Sequence, residues 1–155
     1  MVADLMLFMV RILFVRYKGG NTMKEMVYRS AIENKHQFTD MLDEGTYKNF
    51  HYAILSYGSH PCAYVELPTE HLLYPLYDED ELAYIDCHGG ITYFSTTGLI
   101  RPSDENHRDG HWIGWDYAHC MDYIYGAYNT SDDKKWTTKE IFEDVKNVIE
   151  QLIKS

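Results

Sequence analysis

The C-terminal segment carries the clearest structural pattern in the chain. Thr137 and Glu140 fit a capping box, in which a threonine and a glutamate three residues later satisfy the first free amides of a helix. The pattern predicts a helix from about Thr138 to Ile153 whose apolar stripe is core and must pack against another layer. The stripe residues recur at the spacing of one helical face: Ile141, Val145, Val148, Ile149 and Leu152.

Segments in the middle of the chain are expected to form that second layer as a β-sheet. Phe50 to Tyr57 and Cys62 to Leu67 are rich in aromatic and branched residues, and the break at residues 58–61 (GSHP) indicates a hairpin. The predicted fold class is α+β, a mostly antiparallel sheet with a packed C-terminal helix. Further strands are predicted at Leu82 to Cys87, Ile91 to Thr96 and His111 to Ala118.

Three other segments show weaker patterns. Glu25 to Leu42 has apolar residues at loosely helical spacing and is predicted as a helix. Pro68 to Glu81 mixes proline with an acidic run, which predicts a loop containing a helical turn. Thr97 to Gly110 is polar and glycine-containing, and is predicted as a mobile loop. No composition shift marks a domain boundary, so residues 23–155 are predicted to form a single α+β domain.

The first 22 residues are interpreted separately from this domain. The Lys18-Gly19-Gly20 sequence can be encoded by a ribosome-binding sequence at a suitable distance before Met23. Residues 1–22 are therefore a possible translated leader or N-terminal extension that contributes no designed structure. The alternative is an ordinary strand or helix over Leu5 to Tyr17.

The charge balance excludes one class of partner. Formal net charge is −10, and the segment from Glu66 to Asp133 holds fourteen Asp or Glu residues against only Arg101 and Arg108. Such a field repels the phosphates of DNA and RNA, so no direct nucleic-acid ligand is expected. A negative surface can instead bind a basic protein partner.

Neither secretion nor membrane insertion is indicated. The chain has three cysteines, an odd number without CxxC spacing, which argues against a disulfide framework and favours a reducing cytoplasm. The apolar run from Met1 to Val15 is interrupted by Asp4 and Arg11 and is too short for a membrane span. We therefore expect no membrane partner.

Reactive side chains concentrate in two stretches, Asp86 to Tyr93 and Trp112 to Tyr123. A polar residue where a strand meets a glycine turn can point into a cleft while the sheet fixes its backbone. If the two stretches lie side by side in the sheet, Asp86 and His88 share one face of a strand, while Asp116, His119 and Asp122 recur at the three-residue steps of a helical turn. The predicted ligand-binding residues are His88, Gly89, Gly90, Thr92, Tyr93, Trp115, Asp116, His119 and Asp122.

Several chemistries remain open for this group. Imidazoles and carboxylates suit a divalent cation or a histidine general base oriented by an aspartate, although no fixed-spacing metal motif is present. Aromatic residues nearby suit a pocket for a base or nucleoside. A purely structural role for His88 and His119, hydrogen-bonded to carboxylates or backbone, is the strongest alternative. Catalytic residues, a cofactor and a metal are therefore not assigned.

Residues 88–93 (HGGITY), followed by residues 112–119 (WIGWDYAH) and Asp122, resemble a family of small uncharacterised bacteriophage and prophage proteins. Pro68, His71 and Tyr74, which precede these motifs in the chain, are similar to the family pattern too. The resemblance covers about residues 65 to 125. This chain departs from the family pattern at residues 120–121, where Cys and Met stand in place of small residues.

The resemblance implies a viral origin and the cytoplasm of the host bacterium. Small acidic phage proteins often counter host defences by binding a defence protein or sequestering a nucleotide signal. The leading hypothesis is therefore an accessory protein that binds a small, nucleotide-derived ligand or a host protein. Its rivals are a metal-dependent or His/Asp-dependent hydrolase and an acidic module that blocks a basic partner. The oligomeric state is not predicted.

Overall fold

The computed structural model describes residues 23–29, 40–74, 79–99 and 110–155. These contain five β-strands, one short 3-10 helix and one α-helix. The strands are β1 (Asp40–Tyr47), β2 (Phe50–Ser56), β3 (Pro61–Leu67), β4 (Tyr93–Ser95) and β5 (His111–Asp116); the 3-10 helix is Glu79–Leu82 and the α-helix, α1, is Thr138–Lys154.

The five strands form one sheet in the order β1-β2-β3-β5-β4, and every neighbouring pair is antiparallel. Helix α1 packs on one face of this sheet, against β1, β2 and β3. The structure thus confirms the predicted α+β class, with an antiparallel sheet and a packed C-terminal helix. The predicted hairpin is β2 and β3, which pair from Tyr52↔Val65 to Ser56↔Pro61.

The alternation of side chains explains why the sheet is buried on both faces. Along β2, Ile54 joins the core under α1, while its neighbour Leu55 joins a second buried cluster on the opposite face. Successive strand residues point to opposite faces, so a run without polar residues requires cover on both sides. On the face towards α1, the predicted apolar stripe supplies this cover, because all five residues of the stripe are buried.

The N-terminal cap of α1 forms as predicted. The Thr137 hydroxyl accepts a hydrogen bond from the Glu140 amide at 3.3 Å, and the Glu140 carboxylate accepts from the Thr137 amide at 2.9 Å. Such reciprocal bonds satisfy two of the amides that a helix start leaves free. The helix ends at Lys154, one residue beyond the predicted end.

The helix predicted over Glu25 to Leu42 is wrong wherever the structure describes it. Residues 23–29 have no regular structure, and Asp40–Tyr47 is strand β1. The physical reason is pairing with the sheet: the Lys24 amide donates to the Leu42 carbonyl at 2.8 Å, so the earlier segment joins the edge of β1. Residues 30–39 of this prediction lie outside the described residues.

The predicted strand over Leu82 to Cys87 is also wrong. The chain leaves the 3-10 helix at Leu82 and continues as turns, because Asp86 bonds to α1 instead of to a strand. Its amide donates to the Gln151 side chain at 2.8 Å, and its carbonyl accepts from the same amide group at 2.7 Å. The strands predicted at Ile91 to Thr96 and His111 to Ala118 form over shorter ranges, as β4 and β5.

Two further predictions fall mainly on undescribed parts of the chain. Residues 1–22, the possible leader, and residues 100–109, most of the predicted loop, lie outside the described residues. None of the helices in the described part of the chain has the length and apolar character needed to span a membrane.

Candidate functional site

Asp122 lies at the centre of the polar site, although its side chain is almost fully buried. Its carboxylate accepts from His88 Nε2 at 2.6 Å, from the His119 amide at 2.9 Å and from Trp136 Nε1 at 2.7 Å. Burial alone would raise the pKa of Asp122, but these hydrogen bonds outweigh it and hold the pKa below its ordinary value. Asp122 is therefore ionised at neutral pH and ties three separate segments together.

The His88 ring is fixed by aromatic neighbours as well as by Asp122. It stacks on the Tyr117 ring with centroids 4.7 Å apart and an interplanar angle of 4°, and meets the edge of Trp136 at 4.8 Å. The His119 ring lies 5.4 Å away in an edge-on arrangement. Because a carboxylate can only accept, the bond to Asp122 places the His88 proton on Nε2.

A second carboxylate, Asp144 on α1, holds two side chains and one backbone amide of the site by hydrogen bonds. Its Oδ2 atom accepts from Tyr117 Oη at 2.8 Å, from Trp115 Nε1 at 3.0 Å and from the His88 amide at 3.2 Å. Burial, followed by the charge of Asp144, raises the pKa of Tyr117 far above its usual value, so the phenol stays protonated and donates. Asp144 thus fixes both Tyr117 and the backbone of His88.

Asp116 forms the other half of the site together with Thr92 and His119. The Thr92 hydroxyl donates to Asp116 Oδ2 at 3.1 Å, and the Ala118 amide donates to Oδ1 at 3.1 Å. His119 Nε2 lies 3.5 Å from Asp116 Oδ1 without the alignment of a hydrogen bond, so this contact is electrostatic. The site therefore contains two His–Asp pairs whose imidazoles meet edge-on.

Gly89 makes the approach of the two histidines possible. It has a φ of +68°, and a Cβ atom placed there would lie 1.9 Å from His119 Nε2. Any side chain at this position would overlap the ring. Gly90 has a φ of +84° but open space around it, so only its backbone conformation favours glycine.

The predicted residues do not all meet. His88, Gly89, Thr92, Asp116, His119 and Asp122 come together, whereas Tyr93 packs edge-on against Tyr64, in the cluster on the other face of the sheet. Trp115 is 1% exposed and acts through Asp144. The expected strand face shared by Asp86 and His88 is wrong, because residues 86–92 form turns and loop.

Three residues of the site were missed from the sequence. Trp136 and Asp144 lie far along the chain from His88, and the only local signal was their position beside the helix cap and the apolar stripe. His60 is the third. Burial lowers its pKa, while Asp116 and Asp122 act in the opposite direction, which places its ring in the field of the same carboxylates.

A cavity of about 400 Å³ opens beside His88. Burial, followed by the charge of Asp144, raises the pKa of the Cys87 thiol in its wall to about 12, so this thiol is neutral and a poor nucleophile at neutral pH. Among the described residues, no group of three or more His, Cys, Asp or Glu side chains is arranged to hold a metal ion. The cavity is lined by Asp86, Cys87, His88, Trp136, Asp144 and Asn147.

Comparison of the chain with protein-family models, with curated proteins and with solved structures finds no match. Function is therefore inferred from the arrangement of these side chains. The two His–Asp pairs and the adjoining cavity are the features on which it rests.

Proposed function

We propose that this protein is a phage-type accessory protein that acts by binding a small ligand at the paired His–Asp site. The observation that supports the proposal is the meeting of two imidazoles, His88 and His119, each beside its own carboxylate and 5.4 Å apart between ring centres. His88 also lines a cavity large enough for a small molecule. The site residues are His88, Thr92, Asp116, His119 and Asp122.

The His88 side chain is prepared for binding before a ligand arrives. Asp122 holds its Nε2 proton, and no hydrogen bond of the described residues uses Nδ1. In the neutral imidazole, Nδ1 of this side chain, which is 23% exposed, is then an acceptor for a ligand donor. A group already held in its bound orientation loses little entropy on binding.

A counter-defence role in the cytoplasm of a host bacterium is the biological setting that we propose. It rests on the resemblance of residues 88–93 and 112–122 to small phage proteins, and on analogy with phage proteins that bind a host signal. The first of these two stretches forms the His88 turn, and the second ends at Asp122. Ligand capture would then withdraw a host molecule.

Native mass spectrometry of the purified protein, after incubation with a small-molecule extract of bacteria, tests this proposal. We expect a retained mass that disappears in His119→Gln, because the His119 ring meets His88 edge-on and its Nε2 has no hydrogen-bond partner among the described residues. His51→Gln is the matched control, since His51 is exposed on β2 and contacts Thr46. Absence of any retained mass, or equal retention by both variants, would contradict the proposal.

A second candidate, a His/Asp-dependent hydrolase, is favoured by the 2.6 Å bond between His88 and Asp122. In this scheme His88 Nδ1 takes a proton from water, the hydroxide attacks the substrate, and the leaving group takes the proton back from the imidazolium. The mass of the captured molecule distinguishes ligand binding from hydrolysis. A ligand recovered unchanged indicates binding, and a product formed by wild type but not by His88→Gln indicates turnover.

A further inference from the structure

The cavity beside His88 has a polar lining that selects for one kind of ligand. We propose that it takes the positively charged end of a small organic cation, an ammonium or guanidinium group. This inference rests on the proposed function, because it names the ligand class of the same site. Three observations carry it: three lining side chains present hydrogen-bond acceptors, the lining bears negative charge, and one wall is aromatic.

Three of the lining side chains present hydrogen-bond acceptors. His88 presents Nδ1, since its proton is on Nε2. The three hydrogen bonds that Asp144 accepts from described residues all go to Oδ2, which leaves Oδ1 to accept from a ligand. The Asp86 side chain is exposed, and the hydrogen bonds that Asp86 forms with other described residues involve its backbone amide and carbonyl. A ligand that supplies several N–H donors matches this set.

The charge of the lining has the same sign throughout. Two of the six lining residues, Asp86 and Asp144, are carboxylates, and none of the six is lysine or arginine. Asp86 precedes Cys87 in the chain and Asp144 accepts from the His88 amide, so the two carboxylates flank the same short segment of the cavity wall. Lys134, which lies over the Trp136 ring, is paired with Glu140 at 3.0 Å.

The aromatic wall suits a flat or compact cation. His88 and Trp136 meet at 4.8 Å, and Lys134 Nζ lies 3.6 Å from the Trp136 centroid, so a ligand cation would contact the parts of these two rings that Lys134 does not cover. Aromatic faces attract ammonium and guanidinium groups by their quadrupole. A phosphate group would instead face two carboxylates without a compensating lysine or arginine in the lining.

A matched pair of probes tests the charge requirement directly. Butylguanidine and butylurea have the same length and a planar head group, but only the guanidine is charged at neutral pH, and the urea has a carbonyl oxygen in place of one nitrogen. Titration of each into the protein is followed by the NMR signals of the His88 ring and the Trp136 indole. We expect saturable shifts with butylguanidine at least about tenfold tighter than with butylurea. Adenosine monophosphate is the anionic comparison and should leave both signals unchanged.

A pair of matched variants separates the cavity from the general attraction of an acidic protein. Asp86→Asn and Asp132→Asn each remove one negative charge at an exposed position, but only Asp86 lines the cavity. We expect Asp86→Asn to weaken butylguanidine binding about three- to fivefold and Asp132→Asn to leave it unchanged. Equal effects of the two variants would overturn the inference, as would equal binding of the two probes or preferential binding of the phosphate.

These failures are distinguishable from failure of the proposed function. A neutral or anionic ligand captured from extract and lost in His119→Gln would overturn the cation inference while supporting the binding site. Capture of no ligand, together with no response to butylguanidine, would overturn both. Capture of a cationic mass that His119→Gln loses would support both.

Discussion

Replacement of Gly89 by alanine should disrupt the paired histidines without unfolding the protein. The added Cβ atom would lie 1.9 Å from Nε2 and 2.2 Å from Cδ2 of His119, well inside van der Waals contact. The His119 side chain is 34% exposed and its Nε2 has no hydrogen-bond partner in the described part of the chain, so the ring can swing towards solvent. The backbone then keeps its conformation, with the alanine at residue 89 in the left-handed region.

The expected cost has two parts. Alanine in the left-handed region costs about 1–2 kcal/mol. Movement of the His119 ring loses its edge-on contact with His88, worth about 0.5–1.5 kcal/mol by analogy with aromatic pairs, and its exposed contact with Asp116, worth at most about 1 kcal/mol. Gly89→Ala should therefore lower the free energy of unfolding by about 2–4 kcal/mol.

Gly90→Ala is the control, since φ is +84° there but nothing lies within 4 Å of an added Cβ. It should show the strain of about 1–2 kcal/mol alone. Urea denaturation followed by tryptophan fluorescence measures both variants. In a His119→Ala background the Gly89 variant should cost no more than the Gly90 variant. Equal costs for the two glycine variants in the native background, with no coupling to His119 beyond about 0.5 kcal/mol, would refute the steric reasoning.

Three further outcomes follow from the structure. Asp144→Ala removes the acceptor for two buried aromatic donors and one amide, and should lower unfolding stability by roughly 2–4 kcal/mol in urea denaturation. Hydrogen bonding from the Thr137 backbone, with smaller contributions from other partners, lowers the pKa of Glu140 from 4.5 to about 2, so its stabilisation is present above pH 4.5 and is lost as pH falls towards 2. Wild type and Glu140→Gln should thus converge in melting temperature over that window, and a constant difference would contradict this assignment. Iodoacetamide at neutral pH should label exposed Cys120 and spare Cys87, whose pKa is raised to about 12. If mass mapping found Cys87 labelled first, the Cys87 thiol could not be buried as the structure has it.

The elements predicted from the sequence are those whose stability is determined locally. The capping box, the apolar stripe of α1 and the short connection between β2 and β3 all lie within a few residues of one another in the chain. Strand β1 was missed because its sequence, DMLDEGTY, contains acidic residues and a glycine. Tertiary contacts accommodate them: the Asp43 carboxylate, 5% exposed, accepts from Tyr52 Oη at 2.8 Å, a partner on the next strand.

The residues of the site were predicted from the sequence more accurately than the backbone structure that holds them. His88, Asp116, His119 and Asp122 were selected because imidazole and carboxylate groups clustered near glycines, and the structure brings them together. The expected route, two strands side by side, was wrong for the His88 segment, which is held instead by Asp144 and Asp122. Such bonds span 56 and 34 residues of sequence, and no local pattern encodes them.

The three bonds to Asp122 have a consequence for the opening motions of residues 117–137, which contain neither a helix nor a strand. Loop amides normally exchange with solvent quickly because local openings cost little. Here the His119 amide and the Trp136 indole share one buried acceptor with His88, so exposing one of them releases the others. These protons should exchange slowly and at a common rate, as one cooperative unit. A ligand that binds only the closed form would slow all of them together, including those it never touches.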